Sequence, residues 1–111
     1  MPFAKFTASV SFLGAEEGGR KHPVIQGYRP SLYFSSDNSS FGMVVLFFFD
    51  NEGKQLEHHL PVPRDAVAEF RIANDWVHSQ LRQRLSLGTT FELREGHRTV
   101  ARARVTSLEG L

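Results

Sequence analysis

The chain has 111 residues, a formal net charge of +1 and no cysteine. The length predicts one domain spanning residues 1–111, and the small net charge excludes a uniformly basic surface of the kind that coats nucleic acids. The absence of cysteine excludes disulfides and thiolate metal sites, and the longest apolar stretch, residues 43–49, is far shorter than the roughly 20 residues of a membrane-spanning helix.

Alternating hydrophobicity predicts two strands in the first third of the chain. Residues 6–12 place an apolar side chain at every second position, with small polar side chains between them. The glycine pair Gly18-Gly19 ends this pattern with a turn or a wide loop. Residues 31–35 alternate in the same way and predict the second strand.

The middle of the chain contains its most apolar segment. Residues 41–49 are almost wholly apolar and rich in β-forming residues, so we predict a central strand here. Residues 50–53 have hairpin-turn composition, and residues 55–60 are the candidate returning strand. The prolines that follow limit how far this strand can pair, because proline donates no ladder hydrogen bond.

Residues 65–85 allow two interpretations. Asp65 is a suitable N-cap, and the spacing of apolar residues fits a single helix over the whole segment. The alternative is a strand over residues 66–73, followed by a short helix or loop over residues 75–84. We favour the second, because the first part of the segment also suits a strand. Trp76 is then expected to anchor the short helix on the sheet, although it also suits nucleic-acid stacking.

The end of the chain predicts a hairpin. Residues 88–94 form one strand, residues 95–97 turn the chain, and residues 99–108 return. Along the returning strand, alternate positions are apolar, and Arg102 and Arg104 lie on the opposite face. Several short strands with turn signals, and at most one helix, describe a small sandwich or barrel, whose closure would hide the strand edges.

Two separated motifs resemble a known family. The first is EEGGR at residues 16–20 with GYRP at residues 27–30, and the second is LREGHRTV at residues 93–100. In that order they resemble the C-terminal β-barrel domain of elongation factor Tu. The resemblance covers nearly the whole chain and is weakest over residues 37–84. It implies an all-β fold, namely a small closed antiparallel β-barrel with Greek-key-like connections, with a short helix near residues 75–84.

The resemblance also implies a structural and interactive role. In the full-length factor this domain helps to hold the T-stem side of aminoacyl-tRNA, packs against the GTPase domain and contributes to binding the exchange factor. The positions on the RNA side match Gly19, Arg20, Lys21, Ser31, Arg94, Glu95 and Gly96 in this chain. Arginine and lysine suit phosphate contacts, and glycine allows a backbone to approach a ribose.

The chain departs from the family pattern where contacts would be made. Ser31 replaces a glutamine and is shorter, and His97 replaces the second glycine of the last turn. In the last strand, a Gly-Ala-Gly run becomes Ala-Arg-Ala-Arg at residues 101–104. Two arginines would obstruct close packing on a neighbouring domain, so we expect Arg102 and Arg104 to face water or another partner.

Nucleotide chemistry and catalysis are not expected. The chain has no Gly-x-x-x-x-Gly-Lys-Ser/Thr loop, so no backbone cradle for nucleotide phosphates is encoded. Glu16, Glu17 and Glu95 could pair as acid–base carboxylates, but ion pairing with nearby arginines is the favoured interpretation. We therefore expect no catalytic residue, no metal, no cofactor and no membrane partner; an enzyme that uses Glu95 and His97 is the least favoured hypothesis.

The sequence thus predicts a non-enzymatic, cytoplasmic binding module. The favoured partner is a protein, and a decoy or immunity-like role, in which the chain captures something that targets the elongation factor, is one version of this hypothesis. The alternative is an accessory protein that binds RNA, such as a tRNA stem. The candidate contact surfaces are the turns at Arg20 and Lys21 and at residues 94–96, and the face that carries Arg102 and Arg104.

Overall fold

A computed structural model describes residues 4–42, 44–50 and 52–110. The elements are β1 (Ala4–Phe12), a 3-10 turn (Ala15–Glu17), β2 (Ser31–Phe34), β3 (Ser39–Phe41), β4 (Val44–Phe49), β5 (Asp65–Ile72), α1 (Asp75–Arg82), β6 (Thr90–Glu95) and β7 (Arg98–Glu109). The predicted apolar strand includes Met43 and the predicted hairpin turn includes Asn51, and both residues lie outside the described ranges.

The strands form one antiparallel sheet with the order β3-β2-β6-β7-β1-β5-β4. β1 lies between β7 and β5 and pairs with both along most of its length. β6 and β7 form the predicted hairpin, and Gly96 in its turn has a φ of +60°, a conformation that favours glycine. The predicted mostly-β, antiparallel fold is confirmed.

The sheet curls around one aromatic core. Distances between ring centres show this packing. The centre of the Phe91 ring on β6 lies 5.9 Å from that of Phe6 on β1, 5.5 Å from that of Phe70 on β5 and 5.6 Å from that of Phe34 on β2. The rings of Phe6 and Phe70 stack at 4.6 Å. Strands three places apart in the sheet order therefore pack their inner faces against each other, which a flat sheet could not do.

Closure into a barrel is not confirmed. Within the described residues, no hydrogen-bonded pairing joins β3 to β4, the two ends of the strand order. The Gln26 side chain occupies the edge of β4 instead: its Nε2 donates to the carbonyl oxygens of Phe48 (2.8 Å) and Leu56 (2.9 Å), and its Oε1 accepts from the Phe48 N–H (2.9 Å). Gln26 thus supplies the partners that a buried strand edge requires.

The central strand predicted over residues 41–49 is wrong. The segment is divided at Gly42, and its two parts belong to β3 and β4, at opposite ends of the sheet. β4 is apolar because its inner face meets the core while Gln26 covers its edge. The returning strand predicted over residues 55–60 is also wrong, since pairing there is reduced to one bridge between Phe49 and Gln55.

Residues 65–85 follow the favoured interpretation, a strand and then a short helix. α1 begins after Asn74, whose side-chain oxygen accepts a hydrogen bond from the Val77 N–H at 2.9 Å and so caps the helix. Val77 and Leu81 are buried and hold α1 against the sheet. Trp76 is not the predicted anchor: it is 63% exposed, although its ring lies 6.0 Å from that of Phe41.

Candidate functional site

Glu95 joins the two sequence motifs. The Arg20 guanidinium and the Tyr28 hydroxyl both donate hydrogen bonds to Oε2 of Glu95. The Arg20 guanidinium also lies 5.2 Å from the centre of the Tyr28 ring. The glycine-rich turn, the segment containing Tyr28 and the end of β6 are therefore tied together, and the predicted ion pairing of Glu95 with an arginine is confirmed.

The surroundings keep Glu95 charged. Its partial burial opposes ionisation, but hydrogen bonds from Tyr28 and Arg20 outweigh this effect and lower the pKa of the Glu95 carboxyl. Burial, together with the hydrogen bond to Glu95, raises the pKa of the Tyr28 hydroxyl. A carboxylate with a lowered pKa and two donors is suited to fixing loop shape, and it is a poor source of protons at neutral pH.

We predict that Glu95→Gln lowers stability at pH 7 by about 0.5–1 kcal/mol and weakens the dependence of stability on pH. A carboxyl whose pKa is lowered on folding stabilises the folded state above its unfolded pKa of about 4.3, and this contribution is lost as pH falls through the folded pKa. Urea unfolding at pH 7 and at pH 3 measures the effect. The difference in stability between wild type and variant should be smaller at pH 3 than at pH 7.

A double-mutant cycle with Arg20→Gln is the control. Glu95→Gln should cost less stability in the Arg20→Gln background, because the ion pair between Arg20 and Glu95 is already broken there. An unchanged pH dependence in Glu95→Gln would contradict the assignment of Glu95 as the titrating group.

Gly19 has a packing role. The residue is buried, and a Cβ atom placed on it would lie 2.3 Å from the backbone oxygen of Leu13, closer than any side chain tolerates. Its N–H donates to the carbonyl oxygen of Gly14 at 3.0 Å. The glycine at this position is explained by close contact within the turn. The candidates of the first motif that reach solvent are therefore Lys21, which is exposed, and Arg20, which is partly buried.

A small basic cavity lies beside this turn. It has a volume of about 250 Å³, and its lining includes Arg20, Lys21, His22 and Arg64. Arg64 donates to Oε1 of Glu17 at 2.9 Å. We call this site the basic turn cavity. Two of its four cationic or titratable side chains, those of Arg20 and Arg64, already bind carboxylates.

Ser31 and Arg94 are cross-strand neighbours on β2 and β6. The Arg94 guanidinium lies 3.5 Å from the centre of the Tyr33 ring and donates to Oε1 of Glu92 at 3.0 Å. The Thr99 hydroxyl donates to the same oxygen at 2.6 Å, and this hydrogen bond, followed by that of Arg94, lowers the pKa of the Glu92 carboxyl. Arg94 is thus committed to contacts within the protein.

Arg102 and Arg104 line a second, larger cavity. They are exposed and project from β7 on the face opposite the core. The open cavity beside them has a volume of about 500 Å³ and is lined by residues of β1, β5, β6 and β7, with Tyr33 and Ser35 at one side. We call this site the arginine groove. Its volume lies within the range of about 300–1,000 Å³ typical of ligand sites.

The structure places most of the predicted site residues in two regions and leaves Ser31 and Arg94 outside both. Gly19, Arg20, Lys21, Glu95 and Gly96 belong to the turns around Glu95, whereas Arg102 and Arg104 belong to the arginine groove. Ser31 and Arg94 lie on β2 and β6, next to the strand positions of Tyr33 and Glu92.

Several residues of the site are not identified by the sequence. Tyr28 donates to Glu95, Arg64 pairs with Glu17, and the Tyr33 ring lies against the Arg94 guanidinium. The lining of the arginine groove also includes Ser9, Ser11 and Thr90. The period of two does place the last three on outward faces. What the sequence lacks is the register that brings these outward faces together.

No metal or membrane element is found in the part of the chain that the structure describes. Within residues 4–42, 44–50 and 52–110, no three histidine or acidic side chains lie close enough together to hold a metal ion. No helix within the same ranges is long and apolar enough to cross a bilayer.

A family model described as the Elongation factor Tu C-terminal domain matches residues 1–109. The match includes both motifs and the weakly similar middle of the chain.

Proposed function

This chain belongs to the family of elongation factor Tu C-terminal domains. We propose that it is a non-enzymatic module that binds a protein partner. The C-terminal domain of the factor is itself non-catalytic. In this proposal, residues 1–111 act as one domain in the cytoplasm and require neither nucleotide nor cofactor.

The observation that carries the proposal is the outer face of β7. Arg102 and Arg104 alternate with buried alanines there, so both charged side chains project together away from the core. Neither arginine makes a hydrogen bond or an ion pair to another described residue at contact distance. Charged side chains that are not used within the fold are available to a partner, and arginine is enriched at protein interfaces.

Affinity capture from a bacterial lysate, with and without ribonuclease, tests the proposal. We expect the tagged chain to retain a protein partner after ribonuclease treatment, because the contact is made directly between proteins. Loss of every captured protein on treatment would reject the proposal. The decoy or immunity-like version makes a narrower claim: purified elongation factor Tu should displace the captured protein, because both bind it through related surfaces.

RNA binding is a second candidate, and the basic turn cavity is the observation that favours it. Lys21 and His22 are exposed beside Arg20 and supply a compact set of groups for phosphate contacts. In this alternative, tRNA is retained on filters at low salt, the affinity falls steeply as salt increases, and Arg20→Ala with Lys21→Ala weakens it. Absence of tRNA retention by the unmutated chain would remove this candidate.

A further inference from the structure

We propose that the arginine groove binds an extended acidic segment of the partner protein, one that carries two carboxylates separated by a single residue. The inference rests on the proposed function and adds to it the site and the chemistry of the ligand. Its basis is the position of Arg102 and Arg104 on one strand, the small side chains around them and the existing partners of the nearby acids.

The register of the sheet places Arg104 between two short side chains, and Arg102 between one short side chain and Glu92. The cross-strand neighbours are Ser11 and Glu92 for Arg102, and Ser9 and Thr90 for Arg104. Serine and threonine are too short to cover an arginine, and the Glu92 carboxylate binds Arg94 and Thr99, so a trough remains open along β7. These hydroxyl groups can also donate or accept hydrogen bonds to a bound main chain.

In the groove, the acid Glu92 already has partners within the fold, whereas the two arginines do not. Glu92 accepts hydrogen bonds from Arg94 and Thr99, so its negative charge is already compensated. Asp65 is exposed at the β5 side and is the other acid of the lining. The positive charge of Arg102 helps to lower the pKa of the Glu92 carboxyl. Within the described residues, however, neither Arg102 nor Arg104 is at ion-pair distance from an acidic side chain. A negatively charged ligand would therefore find two arginines available and one exposed acid at the rim.

The spacing of the arginines selects the form of the ligand. They are two residues apart on a strand, and such residues lie about 7 Å apart on the same face. An extended peptide presents alternate side chains with the same period, so carboxylates at positions i and i+2 can each meet one guanidinium. Arginine–carboxylate pairs are charge-assisted and are among the stronger hydrogen-bonded contacts in proteins.

The lining favours an acidic peptide over nucleic acid. Single-stranded nucleic acid binds through exposed aromatic platforms as well as through cations. The Arg94 guanidinium covers the Tyr33 ring at 3.5 Å from its centre, and Phe91 is only 4% exposed. Neither aromatic residue of the lining therefore offers an open ring face on which a base could stack. Asp65 would repel a continuous phosphate backbone, whereas a peptide can place an uncharged position next to it.

Amide chemical shifts of the ¹⁵N-labelled full chain provide the test. The probe is a blocked pentapeptide of alternating glutamate and serine, and the matched control replaces glutamate with glutamine. We expect the glutamate peptide to shift resonances of the arginine groove, and the variant Arg102→Gln/Arg104→Gln to weaken its binding by about tenfold. Arg82→Gln is the matched control variant, since Arg82 is an exposed arginine on α1 outside the lining of the groove.

The inference is overturned if the glutamate peptide shifts no resonance of the groove, if it binds the double arginine variant as tightly as wild type, or if the glutamine peptide binds equally well. An oligouridylate of about eight nucleotides that binds the groove as tightly as the glutamate peptide would assign the site to nucleic acid and also overturn it. The proposed function is tested separately by the ribonuclease-treated capture. A protein partner can be retained in that experiment even if the peptide does not bind the groove.

Discussion

Replacing Phe70 with alanine is expected to lower the free energy of unfolding by about 3–5 kcal/mol, the usual cost of removing a fully buried aromatic ring. Phe70 is fully buried, stacks on Phe6 at 4.6 Å and meets the edge of Phe91 at 5.5 Å. These contacts join β5 to β1 and, across the interior, to β6. Since a domain is stable by only about 5–15 kcal/mol, the variant should be close to unfolding.

Phe47→Ala is the matched control for Phe70→Ala. Phe47 lies on the neighbouring strand β4, is partly exposed, and is covered by the Arg71 guanidinium at 4.4 Å. Its removal should cost less than half as much, because little cavity is created at a partly exposed site. Chemical denaturation measures both variants. Equal losses for the two would contradict a single core enclosed by the curled sheet.

Gln26→Leu is expected to cost about 2–4 kcal/mol, although leucine is similar in size and more apolar. The variant leaves the Phe48 N–H without its partner, and an unsatisfied buried donor costs about 1–3 kcal/mol in addition to the lost hydrogen bonds. The Phe48 carbonyl oxygen keeps its bond from the Leu56 N–H at 3.1 Å. The groups that lose their partner are therefore the Phe48 N–H and the Leu56 carbonyl oxygen, at the edge of β4.

Stability, amide exchange and association each test Gln26→Leu. Denaturation gives the change in stability, and hydrogen exchange at the Phe48 amide should accelerate, because its acceptor is gone. The opened edge should also promote concentration-dependent association, as unprotected strand edges do. Gln83→Leu, at the exposed residue that follows α1, is the matched control and should change stability by no more than about 0.5 kcal/mol. Normal exchange at Phe48 in Gln26→Leu would contradict the proposed role of Gln26.

The predictable parts of the fold are those in which local pattern and tertiary environment agree. β1 and β7 show a clear period of two, and the structure buries the apolar face of each and exposes Arg102 and Arg104. α1 follows the interpretation in which residues 65–85 are divided between a strand and a helix. In each case the sequence itself distinguishes the face that meets the core.

The parts that could not be predicted depend on contacts between distant residues. An uninterrupted apolar run cannot reveal that β4 is an edge strand, because the covering group is a side chain 22 residues earlier, that of Gln26. Arg20 and Glu95 are 75 residues apart, and nothing local specifies which arginine the carboxylate binds. The arginine groove likewise arises from the register between β1, β6 and β7, which alternation alone does not fix.

The direct test of the central claim is capture from ribonuclease-treated lysate with three forms of the chain: wild type, Arg102→Gln/Arg104→Gln and Arg20→Gln/Lys21→Gln. We predict that the wild type and the variant of the basic turn cavity retain the same protein, and that the variant of the arginine groove loses it. Retention by the groove variant, or loss by the basic turn cavity variant alone, would contradict a protein-binding module that acts through the outer face of β7.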